Sequence, residues 1–323
     1  MGFAVEKSGL LTTIQDSGRT GFRSIGMPVS GPMDKFAFRM ANLAVGNEEN
    51  EAALEVTLIG PVLHFTSDTV IAICGAALNP SINNEQIVNN KPLLIHKGDV
   101  LRFGTASAGM RAYIAFKGGL KIDQQLGSSS TNTLAKVGGF KGRSLKAGDK
   151  IELNTKSLID EKVDWSLSSS LFSYLEKREL RVLKNRQWDW FSEEAQTRFL
   201  SEKFTIQQDS DRMGYRLTGP ALSLKKPQEL LTEGIAMGSI QVPSSGQPII
   251  LMADSQPTGG YPKIANIISA DLPIIAQLKP NETLTFKEVT LEAAYEALKK
   301  TESEMKIVKA ALQMKHGQKN MAD

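Results

Sequence analysis

Short apolar runs, separated by Gly, Pro, Asn and Asp, set the pattern of this chain. In the first half they include Pro61-Val62-Leu63-His64-Phe65, Val70 to Cys74, Val100-Leu101-Arg102-Phe103 and Ala112 to Phe116. In the second half come Arg181-Val182-Leu183, Phe204-Thr205-Ile206, Ile249 to Met252 and Thr283-Leu284-Thr285-Phe286. Runs this short, bounded by turn residues, predict strands. Their density predicts a mainly β protein built of barrels or sandwiches, in which closure or stacking hides strand edges.

A turn recurs along the chain. Lys97-Gly98-Asp99, Ala147-Gly148-Asp149 and Pro280-Asn281-Glu282 each lead into an alternating strand. Gly or Asn at the centre tolerates positive φ. The echo fits either duplicated β domains or common turn chemistry. Helices are few. One is expected from Met33 to Val45, with Pro32 in its first turn, Asp34 against the dipole and Gly46 closing it. A second is expected over Ser192 to Ser201. A third, from Leu291 to about Lys315, has Thr290 as cap and an apolar stripe through Tyr295, Leu298, Met305, Val308 and Leu312. Its polar face mixes both charge signs, unlike an interfacial membrane helix, and the tail from Gly317 is expected to fray.

The polar, Ser-rich stretch Asn154 to Lys177 reads as a connection. It gives an N-terminal β domain over 1–160, a second over 178–289, and a C-terminal helix and tail over 290–323. The length of 323 residues is compatible with two domains. With 38 basic and 35 acidic side chains, the net charge of +3 gives no case for nucleic acid or an anionic membrane. Cys74 is the only cysteine, so no intrachain disulfide forms; its apolar setting favours a buried thiol over a nucleophile. Thiol economy, no leader pattern at Met1 to Lys7 and no apolar run long enough to span a bilayer together predict a cytoplasmic protein.

Several chemistries lack their residues. His64, His96 and His316 show no metal-ligand spacing, no cysteine pair offers a zinc site, and no metal ligand is assigned. Gly138-Gly139-Phe140-Lys141-Gly142-Arg143-Ser144 lacks the order of a phosphate-cradling P-loop and reads as a plain loop.

Polar chemistry concentrates in three segments. Gly9 to Asp34 contains Gln15, Asp16 and Arg19, an amide, a carboxylate and a guanidinium close together. Arg19 can clamp a carboxylate or phosphate, and the Ser30-Gly31 backbone can present amides to an anion; an Asp16–Arg19 turn lock and an ordinary helix cap account for the same residues. Asp209 to Pro220 places Arg212 and Arg216 around Gly214-Tyr215, fit for an anionic or amide ligand or for surface pairing of Arg212 with Asp209 or Asp211. Gln241 to Lys263 is a strand followed by a polar loop, with Gln247, Asp254, Gln256, Thr258, Tyr261 and Lys263 as donors and acceptors. Gly259 and Gly260 there permit close backbone approach to a ligand.

In this order the segments resemble the allophanate hydrolase subunit 2 family, also called biotin-dependent carboxyltransferase-like. The most specific signature is Gly9-Leu10-Leu11-Thr12-Thr13-Ile14-Gln15-Asp16-Ser17-Gly18-Arg19-Thr20-Gly21-Phe22. Gly26 to Asp34, Asp211 to Arg216 and Gln256 to Pro262 match as well. The resemblance covers about Gly9 to Phe286. It implies two cyclophilin-like β-barrel domains with a few helices and a C-terminal helix. It also implies one component of a multi-subunit, ATP-dependent 5-oxoprolinase, which opens 5-oxo-L-proline to L-glutamate with ADP and phosphate. The implied partners are the kinase-inhibitor-like B subunit and the A subunit of that enzyme, with ATP as co-substrate together with Mg.

On that reading Asp16 and Arg19 are catalytic. Gln15, Ser30, Gly31, Arg212, Arg216, Gln247, Asp254, Gln256, Thr258, Gly259, Gly260 and Tyr261 bind substrate. The family also implies two alternatives: a regulatory protein that antagonises a sporulation-kinase inhibitor, and the carboxyltransferase component of a urea-carboxylase-like enzyme. The chain has no Met-Lys-Met run, so no biotin is attached to it covalently.

Overall fold

The computed structural model describes residues 1–154, 165–228 and 230–319. Residues 155–164, within the expected connection, and 320–323, in the tail expected to fray, lie outside the described residues. Two compact units form. One comprises Met1–Arg19, Asp34–Glu176 and Glu302–Asp323; the other comprises Thr20–Met33 and Lys177–Thr301. This division differs from the expected one, since residues 20–33 leave the N-terminal unit and the C-terminal helix is divided.

The first unit holds strands β1 (Gly2–Lys7), β2 (Leu11–Gln15), β3 (Ala53–Thr57), β4 (Val62–Phe65), β5 (Thr69–Ala77), β6 (Pro80–Ile82), β7 (Glu85–Gln86), β8 (Pro92–Ile95), β9 (Val100–Phe103), β10 (Ala108–Phe116) and β11 (Lys150–Glu152). They pair as two sheets, β11-β1-β4-β9-β6-β7 and β2-β3-β10-β5-β8. The expected barrel is here a sandwich. Its six-stranded sheet ends in strands of three and two residues, which limit further pairing without closure. The inner faces meet around Phe3, Leu63, Ile73 and Ile114, and Phe3 of β1 stacks on Phe116 of β10 at 4.9 Å.

The outer face of the five-stranded sheet is also covered. Helix α1 (Lys35–Ala44), the 3-10 turn Ser169–Glu176 and Met305 and Leu312 pack against Val70, Ala72, Cys74, Tyr113 and Ala115. Burial on both faces explains why β5 and β10 read as nearly continuous apolar runs. It also places Cys74 in the core, where desolvation pushes its thiol far up, out of nucleophilic range. The Ser-rich stretch is therefore no simple linker: Leu167 and Phe172 join this core. Asp34 caps α1, accepting from the Ala37 amide at 2.9 Å, so Pro32 lies ahead of the helix rather than in its first turn.

The second unit is a closed barrel. Its strands are β12 (Glu179–Lys184), β13 (Phe204–Ile206), β14 (Gly214–Thr218), β16 (Ser239–Gln241), β17 (Ile249–Leu251), β19 (Lys263–Ile267) and β20 (Thr283–Glu288), in the order β12-β19-β16-β17-β14-β13-β20. The parallel β12–β20 pair closes it. A two-stranded ribbon, β15 (Glu233–Gly234) with β18 (Thr258–Gly259), lies outside the barrel order. Helix α2 (Glu193–Ser201), capped by Ser192, brings Phe199 onto Phe286 at 4.5 Å. Helix α3 (Leu272–Gln277) is short and is not legible as a helix, since its Ile274-Ile275-Ala276 run fits a strand equally. Helix α4 (Leu291–Lys319) follows. Among the described residues no helix is long and apolar enough to cross a membrane.

The recurring turn is one device used three times. In His96–Asp99, Lys146–Asp149 and Lys279–Glu282, the third residue has φ of 99°, 89° and 69°. The acid at the fourth position accepts from the amide of the first at 2.7 Å in every case. Each turn also exchanges two backbone hydrogen bonds with a neighbouring strand residue: Phe65, Val5 and Ile206 respectively. Two copies stand in the first unit and one in the second, so the device repeats by strand pair rather than once per domain. At Asp149 it gains a bidentate Arg143, at 2.7 and 2.9 Å, which holds the carboxyl below its ordinary value of 3.8. A depressed carboxyl contributes stability above its unfolded value and loses it as pH falls through the folded one. Acid unfolding of Asp149→Asn, followed by circular dichroism, should therefore show a shallower dependence than wild type as pH falls below the ordinary carboxyl range.

Candidate functional site

The signature segment ends in a buried lock within the first unit. The Asp16 carboxylate accepts from Ser128 Oγ (2.6 Å), Ser130 Oγ (2.6 Å), the Ser129 amide (2.5 Å) and the Gly18 amide (2.9 Å). Arg19 has no exposed surface; its Nε donates to Gln125 O at 3.1 Å and Nη2 to Ser130 O at 2.7 Å. Gln15, equally buried, donates to Thr131 O at 3.1 Å and Thr13 Oγ1 at 3.0 Å. The three polar side chains expected to face a ligand thus hold the segment Gln125–Thr131. The partner run Ser128-Ser129-Ser130-Thr131 is absent from the three polar segments picked out by sequence, although hydroxyls that a chain buries require polar partners.

A second group gathers in the second unit. Arg212 and Asp254, each 6% exposed, pair through Nε–Oδ2 at 2.8 Å and Nη2–Oδ1 at 3.2 Å. Arg212 Nη2 also donates to Gly31 O at 2.7 Å, and the Ser30 amide donates to Ala253 O at 3.1 Å. Ser30, Gly31, Arg212 and Asp254 therefore meet, and they clamp residues 20–33 to the barrel. Arg212 does not take Asp209 or Asp211 as the sequence suggests. Asp209 pairs with Arg216 at 3.1 Å, while Asp211 accepts from the Met213 amide at 2.8 Å.

The open chemistry lies on the outer wall of the barrel. Cross-strand register aligns Arg216, Ile249, Gln241 and Lys263 on one face, with a bulge between β16 and β19. The alternate residues Tyr215, Ile250 and Ile240 point into the core and are fully covered. The β15–β18 ribbon covers Gln241 and Lys263. Lys263 Nζ bonds Glu233 Oε2 at 2.6 Å and holds that carboxyl below its ordinary range. Gln241 Nε2 donates to Tyr261 O at 3.4 Å. A Cβ at Gly259 would sit 2.6 Å from Gln241 Nε2, so a larger residue there would displace that amide.

What stays accessible is a groove of about 510 Å³, lined among others by Gln207, Arg216, Gln241, Gln256 and Tyr261. Arg216 and Tyr261 are about half exposed. Thr258 and Gly260 lie exposed on the adjoining loop. Gln247 also lines the groove, but its amide is spent on Gly219, accepting from N at 2.9 Å and donating to O at 3.1 Å. Lys263 is among the donors the sequence points to; Gln207 and Gln241 are not. Their strands are too short for alternation to show which face each takes. Among the described residues no group of three or more His, Cys, Asp or Glu could hold a metal ion.

The chain matches the carboxyltransferase domain, subdomain A and B, over residues 25–288. It is 38% identical to the C subunit of 5-oxoprolinase from Haemophilus influenzae over 291 residues, 90% of this chain and 92% of that one. It is 36% identical to the C subunit of 5-oxoprolinase from Escherichia coli with the same coverage. Among solved structures, the K. lactis urea amidolyase superposes with a TM-score of 0.89 at 32% identity, over 95% of this chain but only 20% of that one. TTHA0988 superposes with a TM-score of 0.79 at 33% identity, covering 88% of this chain and 55% of that one.

Proposed function

The chain belongs to the carboxyltransferase domain, subdomain A and B, family, and from that premise we propose that it is the C-type subunit of an ATP-dependent 5-oxoprolinase. The observation that carries this reading is length: the similarity to the C subunit of 5-oxoprolinase runs over 92% of that protein, whereas the urea amidolyases are several times longer than the part they share. The partners are the kinase-inhibitor-like B subunit and the A subunit. In this proposal the closed barrel of the second unit is cyclophilin-like, and the assembly works in the cytoplasm.

A lactam resists water because amide resonance stabilises it, so the carbonyl has to be activated. In this proposal ATP phosphorylates the lactam oxygen and ADP leaves. Water adds to the activated carbon, and the ring nitrogen departs as an amine with a proton. A second water hydrolyses the resulting acyl phosphate, giving L-glutamate and phosphate. Any magnesium arrives with the nucleotide. The barrel groove supplies recognition. Arg216 pairs with the substrate carboxylate, while Gln256 and the Thr258–Tyr261 loop hold the lactam. Gln241 and Lys263 position that loop. Asp16 and Arg19 act as positioning residues for Gln125–Thr131, since a buried guanidinium bonded to carbonyls has no open face for substrate.

The test is glutamate formation from 5-oxoproline and ATP by the chain with candidate A and B subunits. Activity only in the complete mixture supports the reading; a verified complex without turnover overturns it. Within the active mixture, Arg216→Ala should raise KM for 5-oxoproline about 10- to 100-fold with kcat nearly unchanged, the effect of losing one charge-assisted contact. A wild-type KM removes Arg216 from the site.

A second reading, a carboxyltransferase component, is favoured by the TM-score of 0.89 to urea amidolyase. It predicts dependence on bicarbonate and on a biotin carrier supplied by another protein, which the 5-oxoprolinase reading does not.

A further inference from the structure

Apart from the barrel groove, the first unit carries a recess of about 670 Å³ formed by the Lys121–Gln125 segment, the Lys136–Gly142 loop and β11. Four lysines line it, Lys121, Lys136, Lys141 and Lys150, against two acids, Asp123 and Glu152. Lys121 and Glu152 neutralise each other at 3.0 Å. That leaves three ammonium groups facing one carboxylate in a protein whose net charge is only +3. All three of these lysines are exposed.

The loop that carries two of them is tightly built. Gly138, Gly139 and Gly142 have φ of 70°, 53° and 64°. A Cβ on them would lie 2.0 Å from Ser130 O, 1.9 Å from Thr131 Oγ1 and 2.1 Å from Lys136 O. Its glycines are thus packing glycines, as the missing P-loop order already indicates. Lys136 and Lys141 themselves adopt left-handed backbone, at φ of 55° and 60°, a conformation that costs a non-glycine residue about 1 kcal/mol. The floor is the Asp16–Arg19 lock: Arg19 bonds the backbone of Gln125, and Gln125 Oε1 accepts the Gly138 amide at 2.7 Å. Buried charge and backbone strain together fix a wall whose exposed product is a set of lysines.

We propose that this recess binds a polyphosphate anion, with Lys136, Lys141 and Lys150 as its cationic contacts. Lysines act as mobile point charges suited to a multiply charged anion. No arginine lines the recess to offer the planar fork that selects a single carboxylate. Identifying the anion with the triphosphate of a nucleotide rests on the 5-oxoprolinase reading; the polyphosphate class does not.

The experiment is titration calorimetry on the full chain, alone and in its complex, with tripolyphosphate, ATP and AMP. One saturable site should take tripolyphosphate and ATP in competition, with AMP at least about tenfold weaker and affinity falling as salt rises. The double variant Lys136→Gln/Lys141→Gln, and Lys150→Gln separately, should each weaken tripolyphosphate at least about tenfold, while Lys203→Gln, an exposed lysine elsewhere, should not. These positions are exposed, so circular dichroism should remain that of wild type. No saturable binding, or equal binding by the lysine variants, overturns the proposal, as does binding confined to an acidic protein. If the complex forms glutamate while the variants bind ATP as wild type does, the recess assignment fails and the function stands. If tripolyphosphate binds through these lysines while a verified complex makes no glutamate, the function fails and the anion site stands.

Discussion

Asp16→Ala should destabilise the first unit by about 3–5 kcal/mol, the range seen when one member of a buried charged network is removed. Its carboxylate receives two serine hydroxyls and two backbone amides. Alanine leaves those donors buried, and each unsatisfied one costs about 1–3 kcal/mol before relaxation. The hydroxyls can rotate to other acceptors, whereas the Ser129 amide cannot, so the total falls short of the simple sum. Asp16→Asn keeps one acceptor oxygen and should cost about half as much. The damage should be local first. Hydrogen exchange ought to rise across residues 125–142, which the lock holds, before it rises in β5 and β10. Denaturant midpoints equal to wild type in Asp16→Ala would show that the lock is not an anchor. Arg19→Ala belongs to the same class. From the sequence alone Arg19 reads as a clamp for a carboxylate or phosphate, but a side chain with no exposed surface and two carbonyl partners cannot be removed without leaving those acceptors and a cavity.

These residues show what a sequence exposes and what it conceals. Strand cores such as Val100–Phe103 and Thr283–Phe286 are legible because alternation and turn chemistry are local. The extents of α1 and α2 are legible for the same reason, although Asp34 and Ser192 are not picked out as their caps. The turn at Asn281 can be foreseen because few residues other than glycine tolerate its φ. The partner of a polar side chain is not local. Arg212 has Asp209 and Asp211 beside it in sequence, yet it bonds Asp254, because β14 and β17 run antiparallel and their ends bring these positions together. Gln247 and Gln256 look alike in sequence, but one is consumed by Gly219 and the other is exposed. Polar, glycine-rich segments do mark places of concentrated chemistry. Whether that chemistry faces inward, as at Asp16 and Arg19, or outward, as at Arg216 and Tyr261, depends on strand register, which composition does not encode.

Breaking the Arg212–Asp254 pair should have the other large effect. Each side chain is 6% exposed and two hydrogen bonds join them. Removing either partner breaks a buried, doubly hydrogen-bonded ion pair, which costs about 3–5 kcal/mol. Replacing both, as Arg212→Met/Asp254→Leu, removes both buried charges together and should recover a substantial part of that loss. A double variant no more stable than either single one would mean that the pair acts through shape rather than charge. The position of the damage gives a sharper test. Arg212 also holds Gly31 O, while Arg23 bonds the carbonyls of Ile235 and Pro257. In Arg212→Ala, exchange should therefore rise first at the amides around Ser30, where the bond to Ala253 O loses its neighbour, and later near Arg23. Uniform loosening from residue 20 to 33 would instead show that the segment detaches as one piece, with Arg23 too weak to hold it alone. The Thr258–Tyr261 loop follows Asp254 closely in sequence, so a loosened Asp254 should also raise KM for the groove's ligand in the assembled enzyme. Preserved KM alongside lost stability would confine the clamp to holding residues 20–33 and leave the loop to Lys263 and Glu233.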